Sequence, residues 1–334
     1  MARVTVLMPV YNGETFLRET MDSVLRQTYS DFIFFILNDG STDKTEEIIF
    51  SYTDSRILYH KNDKNLGLVA TLNKGIDLVD TEYLARMDAD DLWVETKLEK
   101  QIHLLDARLD VGICGTSIHK FGAFEGDFIF PVENEGLRAG FLFYCCMSHP
   151  SVVFRMSFLQ ESGIRYRPDY FPAEDYKLWV ECLDYTQIYN IPEQLVKYRQ
   201  HNHQITQDSN SKQVLLTNRV RLEVLEKLSE SFTQTQKDFH IYSFLSSQLH
   251  SVSDYKKFIQ WSRTLLQANK TNGFVFNSQF LEEALKKHLR ARYKSYIYNK
   301  YKSFTPFKSY LKYFFSLEWR FMNYKDTIKF ILRV

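Results

Sequence analysis

The sequence predicts an α/β fold: a mostly parallel sheet flanked by helices, followed by a helical C-terminal domain. Three observations predict it. Short apolar runs alternate with segments of helical spacing from Val4 to Ile118, the pattern of parallel strands joined by crossover helices. Polar clusters close these runs at the strand ends where α/β sheets bind ligands. From about Lys212 onward Gly and Pro nearly vanish and the pattern turns helical throughout. The boundary between the domains is set at residue 210, giving 1–210 and 211–334.

Each element follows from local chemistry. Val4 to Val10 is apolar, carries Pro9 and stops at Asn12-Gly13, which reads as a buried strand and its turn. Glu14 to Gln27 places Phe16, Thr20, Met21, Val24 and Leu25 at helical spacing, with an acid in the first turn. Phe32 to Leu37 is a second strand. It ends at Asn38-Asp39-Gly40-Ser41-Thr42-Asp43, a glycine turn with helix N-cap residues for the helix Lys44 to Tyr52. Arg56 to His60 is a third strand. The polar loop Asn62 to Gly67 leads into a helix from Leu68 to about Asp77. Tyr83 to Met87 is a fourth strand, followed by acids and a helix from Val94 to Arg108. Val111 to Ile118 is a fifth strand. Beyond it come a hairpin within Phe121 to Pro131, a short helix over Glu135 to Phe143 and a loop from Cys146 to Ser151. The strand Val152 to Phe154, a helix opened by Glu174-Asp175 and the strand Leu195 to Arg199 complete this region. Further helices are expected over 212–229, 233–250, 252–269, 276–300 and 307–331.

Composition narrows the class. The 334 residues carry a formal charge of +1, but Leu281 to Val334 alone holds 13 Lys and Arg against 4 Asp and Glu. Four cysteines, Cys114, Cys145, Cys146 and Cys182, form no C-x-x-C pair and read as buried thiols of a reducing compartment. Met1 to Val6 is a strand pattern without a signal-peptide core, and no apolar run is long enough to span a bilayer. A cytoplasmic location is expected.

The chemistry concentrates in Asp88-Ala89-Asp90-Asp91. Asp88 and Asp90 lie two apart after an apolar strand, so they share a face while strand geometry persists. Carboxylates at the end of a core strand need compensation. A hard divalent cation, Mg²⁺ or Mn²⁺, shared with substrate phosphates supplies it. Read as structure alone, the same residues are N-cap aspartates of the next helix. Asp39 offers an acceptor for a base N–H, or an Asx turn. Tyr11 offers a ring for stacking. Neither G-x-G-x-x-G after the first strand nor G-x-x-x-x-G-K-[ST] anywhere is present. Dinucleotide and P-loop folds are therefore disfavoured, and the metal with cations such as Arg86 or His201 must neutralise a diphosphate.

Pro9-Val10-Tyr11-Asn12-Gly13, Asn38-Asp39-Gly40-Ser41-Thr42-Asp43, Asn65-x-Gly67, Asp88-Ala89-Asp90-Asp91 and Glu174-Asp175 occur in this order. Over residues 3–205 the chain resembles family-2 glycosyltransferases of the GT-A fold. The resemblance implies an inverting enzyme that uses a nucleotide-diphosphate sugar, a UDP-sugar first, and Mn²⁺ or Mg²⁺. Pro9, Tyr11 and Glu14 would frame the nucleoside, Asp39 the base and Asp88 the ribose. Asn65, Arg86 and Ala89 complete the donor site. Asp90 would ligate the metal and Asp175 would be the catalytic base. Tyr198-Arg199-Gln200-His201 looks like the closing loop, with His201 near the metal or diphosphate and His203 a competitor. Glu174, His149 and Trp93 are placed towards the acceptor, with core packing the alternative for the last two.

The basic end also carries 14 aromatics between Leu281 and Val334. It reads as an interfacial surface for anionic lipid, which suits a saccharide or lipid-linked saccharide acceptor, or as a helical domain with solvated basic faces. No nucleic-acid motif accompanies it. Two rival readings remain: a silent sugar-nucleotide binder or assembly scaffold, and a nucleotidyltransferase. The latter is disfavoured because a Gly-rich, basic loop after the first strand is missing.

Overall fold

The computed structural model describes residues 2–201, 210–245, 252–273 and 275–301. The chain divides into two compact units, Met1–Leu225 and Glu226–Val334. The first is a nine-stranded sheet with helices. Its strands are β1 (Val4–Val10), β2 (Phe32–Asn38), β3 (Ile57–Lys61), β4 (Tyr83–Arg86), β5 (Leu92–Trp93), β6 (Val111–Gly122), β7 (Gly126–Phe128), β8 (Val153–Arg155) and β9 (Gln187–Gln200). The order is β3-β2-β1-β4-β8-β6-β9-β5, with β7 on β6. β3, β2, β1 and β4 are parallel, β8 runs antiparallel between β4 and β6, and β6 and β9 are parallel.

Burial explains which runs became central. All seven residues of β1 and all four of β4 are buried, whereas β3 at the edge is half exposed. The helices are α1 (Leu17–Leu25), α2 (Thr45–Phe50), α3 (Leu68–Leu78), α4 (Lys97–Ala107), α5 (Asn134–Gly140), α6 (Met156–Ser162) and α7 (Glu174–Cys182). α1 buries Leu17, Met21 and Val24 against Val6, Met8 and Phe34 in one core cluster. Parallel hydrogen bonding continues past the strand ends: Asp39 N donates to Val10 O at 2.8 Å, Asn62 N to Asn38 O at 2.8 Å and Met87 N to Leu7 O at 3.0 Å. The loops after β1, β2 and β4 thus emerge along one edge.

Three features depart from the sequence reading. β5, only two residues long, pairs antiparallel with Val196–Lys197 and draws the end of β9 alongside the loop after β4. β9 begins at Gln187 rather than Leu195, because Pro192 sits at an irregularity in its pairing with β6. A short helix, α6, follows β8 where none was expected.

α8 (Asn210–Leu228) crosses the division between the units, which falls at 225/226, later than residue 210. Its Glu223 pairs with Lys177 of α7 at 2.8 Å and accepts from the Tyr170 hydroxyl. The second unit contains α9 (Gln234–Leu245), α10 (Val252–Thr271) and α11 (Ser278–Tyr301). Its core gathers Phe232, Phe258, Trp261, Leu265, Leu281 and Leu285, and Trp261 Nε1 donates to His240 Nδ1 at 3.1 Å. Among the described residues no helix is long and apolar enough to cross a membrane. The helix expected over 307–331, most of the basic aromatic end, and His203 lie outside the described residues.

Candidate active site

The loops after β1 and β2 are laced together. Asn12 N donates to Ser41 Oγ at 2.9 Å, Gly13 N to Thr45 Oγ1 at 2.8 Å and Lys44 N to Glu14 Oε2 at 3.0 Å. Glu14 therefore ties the loop after β1 to the residue that opens α2. Pro9 is buried within β1, and Tyr11 stands 49% exposed at its end, its ring available to a ligand.

Asp39 is buried and fully used as an anchor. Its Oδ1 accepts from Asn62 Nδ2 at 2.8 Å and Leu66 N at 2.9 Å, and its Oδ2 from Gly67 N at 2.9 Å. Asn65 Oδ1 accepts from the same Gly67 N at 2.8 Å. Gly40 makes this approach feasible: its φ is +75°, and a Cβ there would lie 2.8 Å from Lys64 C.

Beyond β4 the acids separate by environment. Arg86, 2% exposed, forms an ion pair with Asp88, and its Nε has no hydrogen-bond partner among the described residues. Ala89 O accepts from Thr20 Oγ1 at 3.1 Å, tying the loop to α1. Asp90 Oδ2 lies 3.0 Å from His201 Nε2. Burial, then the Asp88 charge, raise the Asp90 carboxyl above its ordinary range, and His201 opposes them. Asp91 is 1% exposed; its Oδ1 accepts from Arg199 N at 2.7 Å, while Oδ2 has no hydrogen-bond partner among the described residues. Burial, then Asp90 and Asp88, push it well up.

The start of α7 faces the same acids. Asp175 Oδ1 accepts from Tyr176 N at 2.6 Å. A helix N-terminus favours a carboxylate by only about 0.3–1 kcal/mol. Desolvation wins here: burial holds Asp175 up to about 6, with Asp88 adding to it and Arg86 opposing. Glu174, 5% exposed with Oε2 unpartnered, is pushed up to about 8 by burial and then by Asp175. Tyr198 of β9 links the two groups. Burial raises its phenol, and the charges of Asp91, Asp88, Asp90 and Asp175 all add to the shift. The charge of Asp88 reaches both Glu174 and Asp175, so the strand-end acids and the α7 pair lie close to one another.

Trp93 and His149 are core residues. Trp93, 4% exposed, donates Nε1 to Pro150 O at 3.0 Å and lies under Lys97 Nζ at 3.7 Å. His149 Nε2 sits 2.7 Å from the Tyr166 hydroxyl, and burial holds the ring well below its usual value, so it is neutral. Neither offers a surface to an acceptor. Sequence reasoning names Asp91 and Tyr198 only as members of their motifs, and it misses Glu19, which looks like any exposed acid on α1.

Among the described residues no three or more His, Cys, Asp or Glu form a ready metal cage. Asp90 and His201, 3.0 Å apart, are the pair that would hold a metal ion. That fits Mg²⁺ or Mn²⁺, which take one or two protein ligands and fill the rest with phosphate and water. Burial, and then the neighbouring acids, raise Asp90 and Asp91, an environment that a cation would offset.

A model of the glycosyl transferase family 2 matches residues 5–137. An uncharacterised glycosyltransferase of Haemophilus influenzae is 34% identical over 229 residues, spanning 63% of this chain and 69% of that protein. The chain belongs to glycosyl transferase family 2. A second relative, 32% identical over 186 residues and spanning 55% of this chain and 71% of its own, is the Escherichia coli UDP-Glc:α-D-GlcNAc-diphosphoundecaprenol β-1,3-glucosyltransferase. A mannosyltransferase of Pyrobaculum calidifontis, solved with GDP-Man and Mn²⁺, superposes with a TM-score of 0.54 at 14% identity, covering 90% of this chain and 88% of its own. The fold of this glycosyltransferase is GT-A.

Proposed function

We propose that this glycosyltransferase is an inverting, divalent-metal-dependent enzyme that moves a sugar from a nucleotide-diphosphate donor to an acceptor hydroxyl in surface-polysaccharide assembly. One observation supports the reading: the acids beyond β4, at the carboxyl edge of the sheet, lie close enough to Glu174 and Asp175 for the Asp88 charge to act on both.

The donor's nucleoside lies between Tyr11 and the Asp39-anchored loop, with Asn65 and Gly67 beside it. Asp88, oriented by Arg86, meets the ribose, with Ala89 at its side. Asp90, with His201 alongside, would hold the cation, which would offset negative charge on the departing diphosphate. The acceptor hydroxyl attacks the anomeric carbon from the face opposite the diphosphate, and the carbon–diphosphate bond breaks. The hydroxyl proton passes to Asp175, which is ionised above about pH 6. Glu174 is buried beside Asp175 and keeps its proton at neutral pH, so it leaves the base role to Asp175. The leaving group is a diphosphate, so no second carboxylic acid is needed to protonate it. UDP is the favoured nucleotide and a lipid-linked saccharide the favoured acceptor, supported by the named activity of the E. coli relative. The basic end of the chain would bring the enzyme to an anionic membrane surface.

The test is nucleotide release from UDP-, GDP- and dTDP-sugars with Mn²⁺, with Asp175→Asn as control. The variant should bind donor normally and lose transfer by about 10²–10⁴-fold. Near-normal turnover by the variant would refute the base assignment, and donor binding without turnover by wild type would favour a silent binder.

A further inference from the structure

The end of β9 is held far more firmly than a strand terminus requires. Arg199, 12% exposed in its side chain, ties three elements together. Its backbone N donates to Asp91 Oδ1 at 2.7 Å, its Nε to the backbone O of Asp90 at 2.8 Å and its Nη2 to Glu19 Oε2 of α1 at 2.6 Å. The guanidinium is stacked between two rings, 4.4 Å from the centroid of Phe16 and 4.6 Å from that of Phe121. Phe16 also packs against the His201 ring at 4.8 Å. The β6–β7 hairpin grips the same segment: Ala123 N donates to Gln200 O at 3.1 Å, and a Cβ at Gly122 would lie 2.7 Å from that oxygen.

We propose that Arg199 is a positioning residue that fixes Asp90 and His201 relative to each other, so that the cation–diphosphate site is formed before the donor arrives. The inference rests on the reading of Asp90 and His201 given above. It uses the fork of the guanidinium rather than its charge. One side chain reaches the Asp90 carbonyl with Nε and Glu19 with Nη2 while lying flat between two rings, which a lysine ammonium cannot do. The Asp90 backbone is held, so its carboxylate is left to face His201 and the ligand. Glu19, 63% exposed in its side chain, holds the far end of the fork, so its share is smaller than that of the Asp90 contact but measurable.

Three variants test this: Arg199→Gln, Arg199→Lys and the surface change Glu19→Gln. Two readouts are taken: amide hydrogen exchange across Asp88 to Trp93 without ligand, and the Mn²⁺ concentration giving half-maximal UDP binding. Arg199→Gln should exchange at least about tenfold faster there and raise the Mn²⁺ midpoint about 10–100-fold, the usual effect of removing a group that orients a metal ligand. UDP affinity at saturating Mn²⁺ should stay within about threefold, because the nucleoside contacts are elsewhere. Arg199→Lys should recover only part of the loss. Glu19→Gln should shift the midpoint about threefold, and it keeps the test decisive if Arg199→Gln fails to fold. Unchanged exchange and midpoint in folded Arg199→Gln, full rescue by lysine, or an unmoved midpoint in Glu19→Gln overturns the proposal. A wild type that binds UDP with Mn²⁺ separates each of these failures from failure of the functional reading; a wild type that binds no nucleotide with the ion removes both.

Discussion

Replacing Glu174 by Gln removes one of two neighbouring ionisable groups at the start of α7 and leaves its shape. Burial, then Asp175, hold Glu174 up to about 8, and burial holds Asp175 up to about 6. The two titrate as a pair, so these are the pair's upper and lower steps. A carboxyl raised on folding keeps its proton in the native state after the unfolded chain has lost it. Stability from this source is full below the unfolded value and is lost as pH rises through the folded one. For Glu174 that window runs from 4.5 to about 8. At about 1.4 kcal/mol per pH unit, wild type loses roughly 4–5 kcal/mol across it. Gln cannot ionise and should keep most of that stability. Urea denaturation of both proteins between about pH 5 and about pH 9 measures the difference. The two curves should nearly meet at the acid end and diverge by several kcal/mol at the alkaline end. The rate profile adds a second check. In both proteins kcat/KM should fall about tenfold per pH unit below about 6, because Asp175 is the base in each. Parallel stability curves, or an acid limb near the ordinary aspartate value, would refute the reasoning.

Asp39→Asn keeps an acceptor for Asn62 and Leu66 but turns an amide towards Gly67 N. It should cost about 1–3 kcal/mol and weaken nucleotide binding, measured by denaturation and calorimetry. Lys97 is fully buried, its Nζ unpartnered except for the Trp93 ring, and burial holds it well below the usual lysine value. Its native form releases a proton that the unfolded chain keeps up to 10.5, so stability rises with pH until then. Lys97→Met should therefore stabilise by about 1–3 kcal/mol at neutral pH, a gain that shrinks towards alkaline pH.

The strands β1, β2 and β4 were legible because each is a mainly apolar run closed by Asn or Asp, the grammar of a strand buried on both faces. The strand-end acids were legible for the same reason, since they interrupt that run. What the sequence hid is tertiary. β5 has two residues and no pattern of its own; it exists because β9 offers it an edge. Pro192 concealed the first half of β9. Lys97, placed where a helix would ordinarily show a solvated cation, is buried beside an aromatic ring. His149 and Trp93 looked like ligand residues by type, and packing alone assigned them to the core. The three bonds from Asn62, Leu66 and Gly67 that make Asp39 the anchor of the loop after β3 are likewise tertiary, and no local pattern announces them.

The central claim is that the acids after β4 hold a divalent cation that joins the enzyme to a nucleotide diphosphate. Calorimetric titration of UDP into wild type and Asp90→Asn, each with Mn²⁺ and with chelator, tests it most directly. Wild type should bind at least about tenfold more tightly with Mn²⁺, and Asp90→Asn should lose that difference while keeping its metal-free affinity. Equal affinity of wild type with and without the ion would contradict the account.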